Sequence, residues 1–195
     1  MTLPFSAEGD DLEKITCRLG NPPSYDITIT ESLPIESTKL YSIKLPNSID
    51  SPIYSGKENT PEDAIQLSRG SDVTASCLGH PEKILFISGE FSSNFIQGII
   101  FRYDSKLRSL QRLDTYERSP ASKIYLGEKY FSVVVPSDFR ETSKRYLIYK
   151  YSTHKENRET PSPSNKLPNK KNRQIVNLPR PPEAVTSPNT NSRKN

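Results

Sequence analysis

Two cysteines, two histidines and a scatter of carboxylates are the side chains of this chain with the most chemistry to offer. Cys17 and Cys77 are the only cysteines among 195 residues. Each falls on the apolar side of a segment in which apolar and polar residues alternate. The pair is therefore either two buried thiols of a reducing compartment or one disulfide. The even count and matched facing favour the bridge. Closing a loop of about 60 residues would stabilise the fold by about 4 kcal/mol in the chain-entropy model. A bridge places the protein in an oxidising compartment, periplasmic or secreted; free thiols place it in the cytoplasm. Two isolated cysteines do not make a metal site, and no cofactor is expected.

His80 lies in a Gly-His-Pro turn and His154 in a polar stretch, so neither is placed like a general base held by a partner. The chain has no nucleophile elbow, phosphate-binding glycine loop or metal-binding histidine pair. The carboxylates of Glu90, Asp104, Asp114, Glu117, Asp138 and Glu141 are numerous enough for two to meet, although nothing in their spacing says that they do. A cleft holding two carboxyls with opposed pKa shifts would favour a hydrolase-like enzyme using them; a flat polar surface would weaken that reading.

The group Tyr116-Glu117-Arg118 joins a ring, an acid and a guanidinium at the end of an alternating segment. Tyrosine and arginine are common interface anchors, so these three residues and the nearby Tyr103 are the candidate binding face, for a protein or a glycan. Near the C-terminus, Leu178-Pro179-Arg180-Pro181-Pro182 is an extended string of the kind that docks in aromatic-lined grooves. Lys170-Lys171-Asn172-Arg173 is a basic cluster without interleaved aromatics, suited to non-specific contact with nucleic acid or an anionic surface.

The elements that must position these groups read as strands. Ile15, Cys17 and Leu19 alternate with Thr16 and Arg18; Tyr25, Ile27 and Ile29 alternate with Asp26 and Thr28; Tyr41, Ile43 and Leu45 make a third run. Thr60-Pro61-Glu62-Asp63 has a capping hydroxyl, a proline suited to the first helical position and acids for the positive end of the dipole. It starts a short helix that Gly70 can stop. Val73, Ala75 and Cys77 then alternate. From Lys83 to Tyr151 strand-like segments follow one another on short polar links, with turns at Asp104-Ser105-Lys106, Gly127-Glu128-Lys129 and Pro136-Ser137-Asp138. Gly98 marks a bulge or a close backbone approach. The expected fold is all-β: an antiparallel meander or sandwich of about nine strands with one short helix. A propeller needs more chain than this.

Apolar residues concentrate before residue 152. From Thr153 to Asn195 there are seven of the seventeen prolines and nine Lys or Arg against three Glu. That segment carries a net +6, leaving −2 for the rest, so the basic balance belongs to the tail and does not mark the core as a nucleic-acid binder. The division predicted is a loose lead-in over 1–11, one β-rich domain over 12–152 and a disordered basic tail over 153–195. No apolar run approaches the roughly 20 residues of a transmembrane helix. The N-terminus has no basic start followed by an apolar stretch, as an intact secretory signal would. The leading expectation is a non-enzymatic, extracytoplasmic binding domain. The alternatives are the carboxylate enzyme and a cytoplasmic adaptor whose proline-rich tail is the recognition element.

Overall fold

A computed structural model describes residues 14–20, 25–32, 38–46, 48–55, 59–91, 95–128, 130–140, 142–152 and 160–179. Thirteen strands among them form two antiparallel sheets. The first is built from β1 (Lys14–Leu19), β2 (Tyr25–Glu31), β3 (Lys39–Lys44), β4 (Ser51–Pro52), β5 (Arg69–Leu78), β6 (Ile84–Glu90), β7 (Ile96–Asp104) and β8 (Ser109–Glu117). Its order is β1-β2-β3-β5-β6-β7-β8, with β4 added beside β3. The second sheet runs β12-β11-β10-β9-β13, with β9 at Lys123–Leu126, β10 at Tyr130–Pro136, β11 at Tyr146–Ser152, β12 at Ser162–Ser164 and β13 at Gln174–Asn177. The mostly β, antiparallel fold expected from the alternation is present.

The first sheet turns back on itself. Among the described residues β3 pairs β5 through two residue pairs, Lys39 with Gly70 and Leu40 with Arg69. This narrow seam lets β1–β3 lie over β5 and β6 and gives three layers. Cys17, Leu19, Ile27, Ile29 and Ile43 of the outer layer pack on Leu85, Ile87, Ile99 and Phe101 of the middle one. The alternate residues Ile84, Phe86, Ile100 and Leu113 face the second sheet, against Ile124, Phe131, Val133, Val135 and Leu147. β6 and β7 are thus buried on both faces, which is why their sequences read as nearly unbroken apolar runs.

The Cys17–Cys77 disulfide is formed, with the Cα atoms 5.4 Å apart. It ties β1 to β5 across the fold-back. Cys17 is fully buried whereas Cys77 is exposed, so only the first lies on an apolar face. The helix α1 spans Pro61–Leu67, with Asp63 N donating to the Thr60 hydroxyl at 3.2 Å. It stops at Ser68; Gly70 already belongs to β5, which is longer than the alternation of Val73–Cys77 predicts. At Gly98 the register between β6 and β7 is unbroken, so there is no bulge. A Cβ there would sit 2.5 Å from the Thr115 hydroxyl oxygen, which makes Gly98 a close-approach glycine.

The tail boundary is corrected. Residues 160–179 are not a disordered tail: β12 pairs β11 at one edge of the second sheet and β13 pairs β9 at the other. Val176 and Leu178 are buried in the inter-sheet core, at about 1.5–3 kcal/mol for each side chain taken from water. Leu178 N also donates to Ser122 O at 2.9 Å. Leu178 is therefore a core residue and not part of a docking string. Arg180, Pro181 and Pro182 lie outside the described residues, as do His154, Glu141 and the lead-in over 1–11.

Candidate functional site

Two places on this scaffold gather chemistry. The first is the exposed end of β8, the edge strand of the first sheet. Along β8 the residues Gln111, Leu113, Thr115 and Glu117 are buried, while Asp114 and Tyr116 face outward. Ile96 pairs Glu117 in register, which brings Phe95 beside the outward-facing residues. The Phe95 and Tyr116 rings stack with centroids 4.8 Å apart and the Arg118 guanidinium lies 4.8 Å from the Phe95 centroid. Tyr116 remains 46 % exposed. Further along the same strand Arg112 holds Asp114 through two hydrogen bonds of 2.8 and 2.9 Å and covers the Tyr54 and Phe101 rings. The Tyr54 hydroxyl donates to Gln97; its burial, helped by Asp114, pushes its pKa well above the usual tyrosine range.

The expected binding group divides here. Tyr116 and Arg118 share the outward face as the alternation implies. Glu117 points the other way, where its Oε1 accepts the Tyr149 hydroxyl at 2.6 Å and joins the two sheets. Tyr103 is buried, its ring 5.0 Å from that of Tyr25, and belongs to the core. Phe95 follows a polar stretch, and its one signal in the sequence is its position just before a strand that pairs with the Tyr116 segment.

The second place is a cleft of about 660 Å³ where the two sheets meet, lined by Arg18, Glu82, Lys83, Arg102, Asp104 and Lys106 among others. At its floor is Arg102, 4 % exposed, in the middle of an apolar strand. Arg102 Nη1 donates to Gly127 O at 3.4 Å, and its guanidinium lies 5.1 Å from the Phe131 centroid. Its Nε is 3.3 Å from Glu82 Oε1 and its Nη2 is 3.9 Å from Asp104 Oδ2. Burial raises the Glu82 pKa above the usual carboxylate range, Arg102 opposing the shift and Asp104 adding to it. Asp104 is engaged by its own turn and by β8: Oδ1 accepts the N–H groups of Lys106 and Leu107 at 2.9 and 3.0 Å, and Oδ2 accepts Gln111 Nε2 at 3.1 Å. The signal for Arg102 was a cation inside the run Ile99-Ile100-Phe101-Arg102-Tyr103.

The remaining candidates are dispersed. Asp114 is held by Arg112, Asp138 by Arg140 at 3.7 Å, and Glu90 is exposed. His80 is exposed in its turn. Lys170 and Lys171 are exposed before β13, whereas Arg173 stacks on Tyr130 with its guanidinium 4.4 Å from the ring centroid. Among the described residues no group of three or more His, Cys, Asp or Glu could hold a metal ion, and no helix is long and apolar enough to cross a membrane. No protein-family model matches the chain, and no curated protein or solved structure matches it either.

Proposed function

We propose that the chain is a non-enzymatic binding domain that works outside the cytoplasm and recognises a protein partner through the Tyr116–Phe95–Arg118 end of β8. The observation that carries this reading is the outward group itself: the Tyr116 ring of the edge strand β8 stacked on Phe95, just before β7, with the Arg118 guanidinium beside it, while the other face of β8 is locked into the core. Stacking fixes the side chains in advance, so little rotamer freedom remains to be lost when a partner covers them. Aromatic and arginine side chains in that state are the usual anchors of protein interfaces. The disulfide supports an oxidising compartment.

The enzyme alternative draws less support. Paired carboxylate chemistry needs two acids free to meet a substrate, and both oxygens of Asp104 are engaged, Oδ1 by its turn and Oδ2 by Gln111 of β8. Tyr116→Ala and Arg118→Ala are each expected to weaken partner binding by at least about tenfold, the scale of an interface anchor, with unchanged thermal stability. Unaltered affinity in both variants would remove this face from recognition. Affinity that is lost on deglycosylating the partner would reassign the face to glycans.

A further inference from the structure

The inter-sheet cleft holds a charged group whose needs the fold does not meet. Arg102 carries five N–H donors, yet among the described residues it makes one hydrogen bond, to Gly127 O. Its Nε faces Glu82 Oε1 as an ion pair without hydrogen-bond geometry, and both atoms are buried without a hydrogen-bond partner. Buried polar atoms are nearly always hydrogen-bonded, so a pair left unsatisfied calls for a physical reason, and a bound ion or ligand is one.

Glu82 is attached in a telling way. The Gln174 side-chain amide clamps its backbone at both ends, Glu82 N donating to Gln174 Oε1 at 3.0 Å and Gln174 Nε2 donating to Glu82 O at 2.7 Å. The backbone is fixed while the carboxylate, 36 % exposed, rests on Arg102 alone. It occupies the place that a ligand's oxyanion would take. A rotation of the Glu82 side chain toward solvent opens that place without moving the main chain.

We propose that this cleft binds a small ligand through an oxyanion group, tetrahedral or carboxylate, which replaces the Glu82 carboxylate on Arg102. The volume lies within the roughly 300–1,000 Å³ of small-molecule sites. The charged groups facing it are Arg18 from β1, Glu82 and Lys83 from the turn before β6, Asp104 and Lys106 from the end of β7, and Glu128 after β9. Arg18 is paired with Asp26 and Lys106 with Glu128, so Lys83 is the wall cation best placed to assist Arg102. Protonating Glu82 leaves the lining more positive and frees Arg102, so occupancy rises as pH falls. The β8 face plays no part in this site, and either proposal can fail without the other.

The test is a nuclear magnetic resonance titration of the full chain with sodium sulfate and, separately, sodium acetate, following the Arg102 Nε–H and the Lys83 and Gly127 amides. Sulfate keeps its charge across the pH range used, and the two arms separate tetrahedral from planar oxyanions. Saturable shifts are expected with at least one anion, tightened several-fold by Glu82→Gln and by lowering the pH from about 7 to about 5. Lys83→Ala, an exposed change that leaves the core intact, is expected to weaken binding. Shifts that fail to saturate in both the wild type and Glu82→Gln, or an affinity that Glu82→Gln leaves unchanged, would overturn the proposal.

Discussion

Glu117 and Arg102 are polar side chains set between apolar layers, and the fold treats them differently: a partner from another element meets Glu117, whereas Arg102 is left short of hydrogen-bond partners. The Tyr149 hydroxyl donates to Glu117 at 2.6 Å, a charge-assisted bond between β11 and β8 across the inter-sheet core. Tyr149→Phe removes that donor and leaves the carboxylate with less compensation in the same buried space. A loss of about 1.5–3 kcal/mol is expected, read as a lower midpoint in urea at unchanged slope. Glu82 makes stability depend on pH. Burial raises its pKa in the folded chain, so just above the usual glutamate value the folded state keeps a proton that the unfolded state has released. Its contribution to stability is therefore greatest at low pH and is lost as pH rises through the raised value. Glu82→Gln is expected to gain on the wild type as pH climbs from about 4 to about 7. A stability difference that stays flat or falls with pH would contradict the assignment.

At the scale of elements, the disulfide and the narrow β3–β5 seam act together. Among the described residues the seam pairs two residues on each strand, a short junction for holding β1–β3 over the middle layer. The bridge closes a separation of 60 residues at the other end of the same fold-back. Replacing both cysteines by serine is expected to cost about 4 kcal/mol, close to 10 °C in melting temperature for a chain of this size. A melting temperature unchanged by the double substitution would show that the layer is held by packing alone. These strands were legible in sequence because Cys17, Leu19, Ile27, Ile29 and Ile43 alternate cleanly with solvated neighbours. β6 and β7 were legible as strands but not as a middle layer, since a run buried on both faces has no polar alternate to reveal its two cores. β12 and β13 escaped for another reason. Three residues of Ser-Pro-Ser and four of Gln-Ile-Val-Asn are too short for a period, and the polar residues around them hide the two buried positions, Val176 and Leu178.

For the whole molecule, the extent of the folded unit decides how function is assigned. Composition places the boundary near residue 152, but a chain ending at 159 would lose both edge strands of the second sheet and the Gln174 clamp on Glu82. Such a truncation is expected to lower the melting temperature by at least about 10 °C, from the lost burial of Val176 and Leu178 and the unpaired edges of β9 and β11. Full stability after truncation would return residues 160–179 to the status of an appendage. It also follows that deleting everything after residue 152 does not isolate the tail as a recognition element, because it damages the core. Of the candidate face, Tyr116 and Arg118 were readable from alternation. Phe95 depends on strand pairing, which spacing alone does not supply, while the alternation that turns Tyr116 and Arg118 outward also turns Glu117 inward.

Recognition through the outer end of β8 is tested most directly by photo-crosslinking from within that group. A photoreactive phenylalanine derivative at position 116, with a matching control at the exposed Glu62 of α1, would be irradiated in native extract. The expected result is one defined protein adduct from position 116 and none from position 62. Excess wild-type chain should compete it away, and the Tyr116→Ala/Arg118→Ala double variant should not. Adducts of equal yield from both positions, or competition by the double variant as strong as by the wild type, would contradict it.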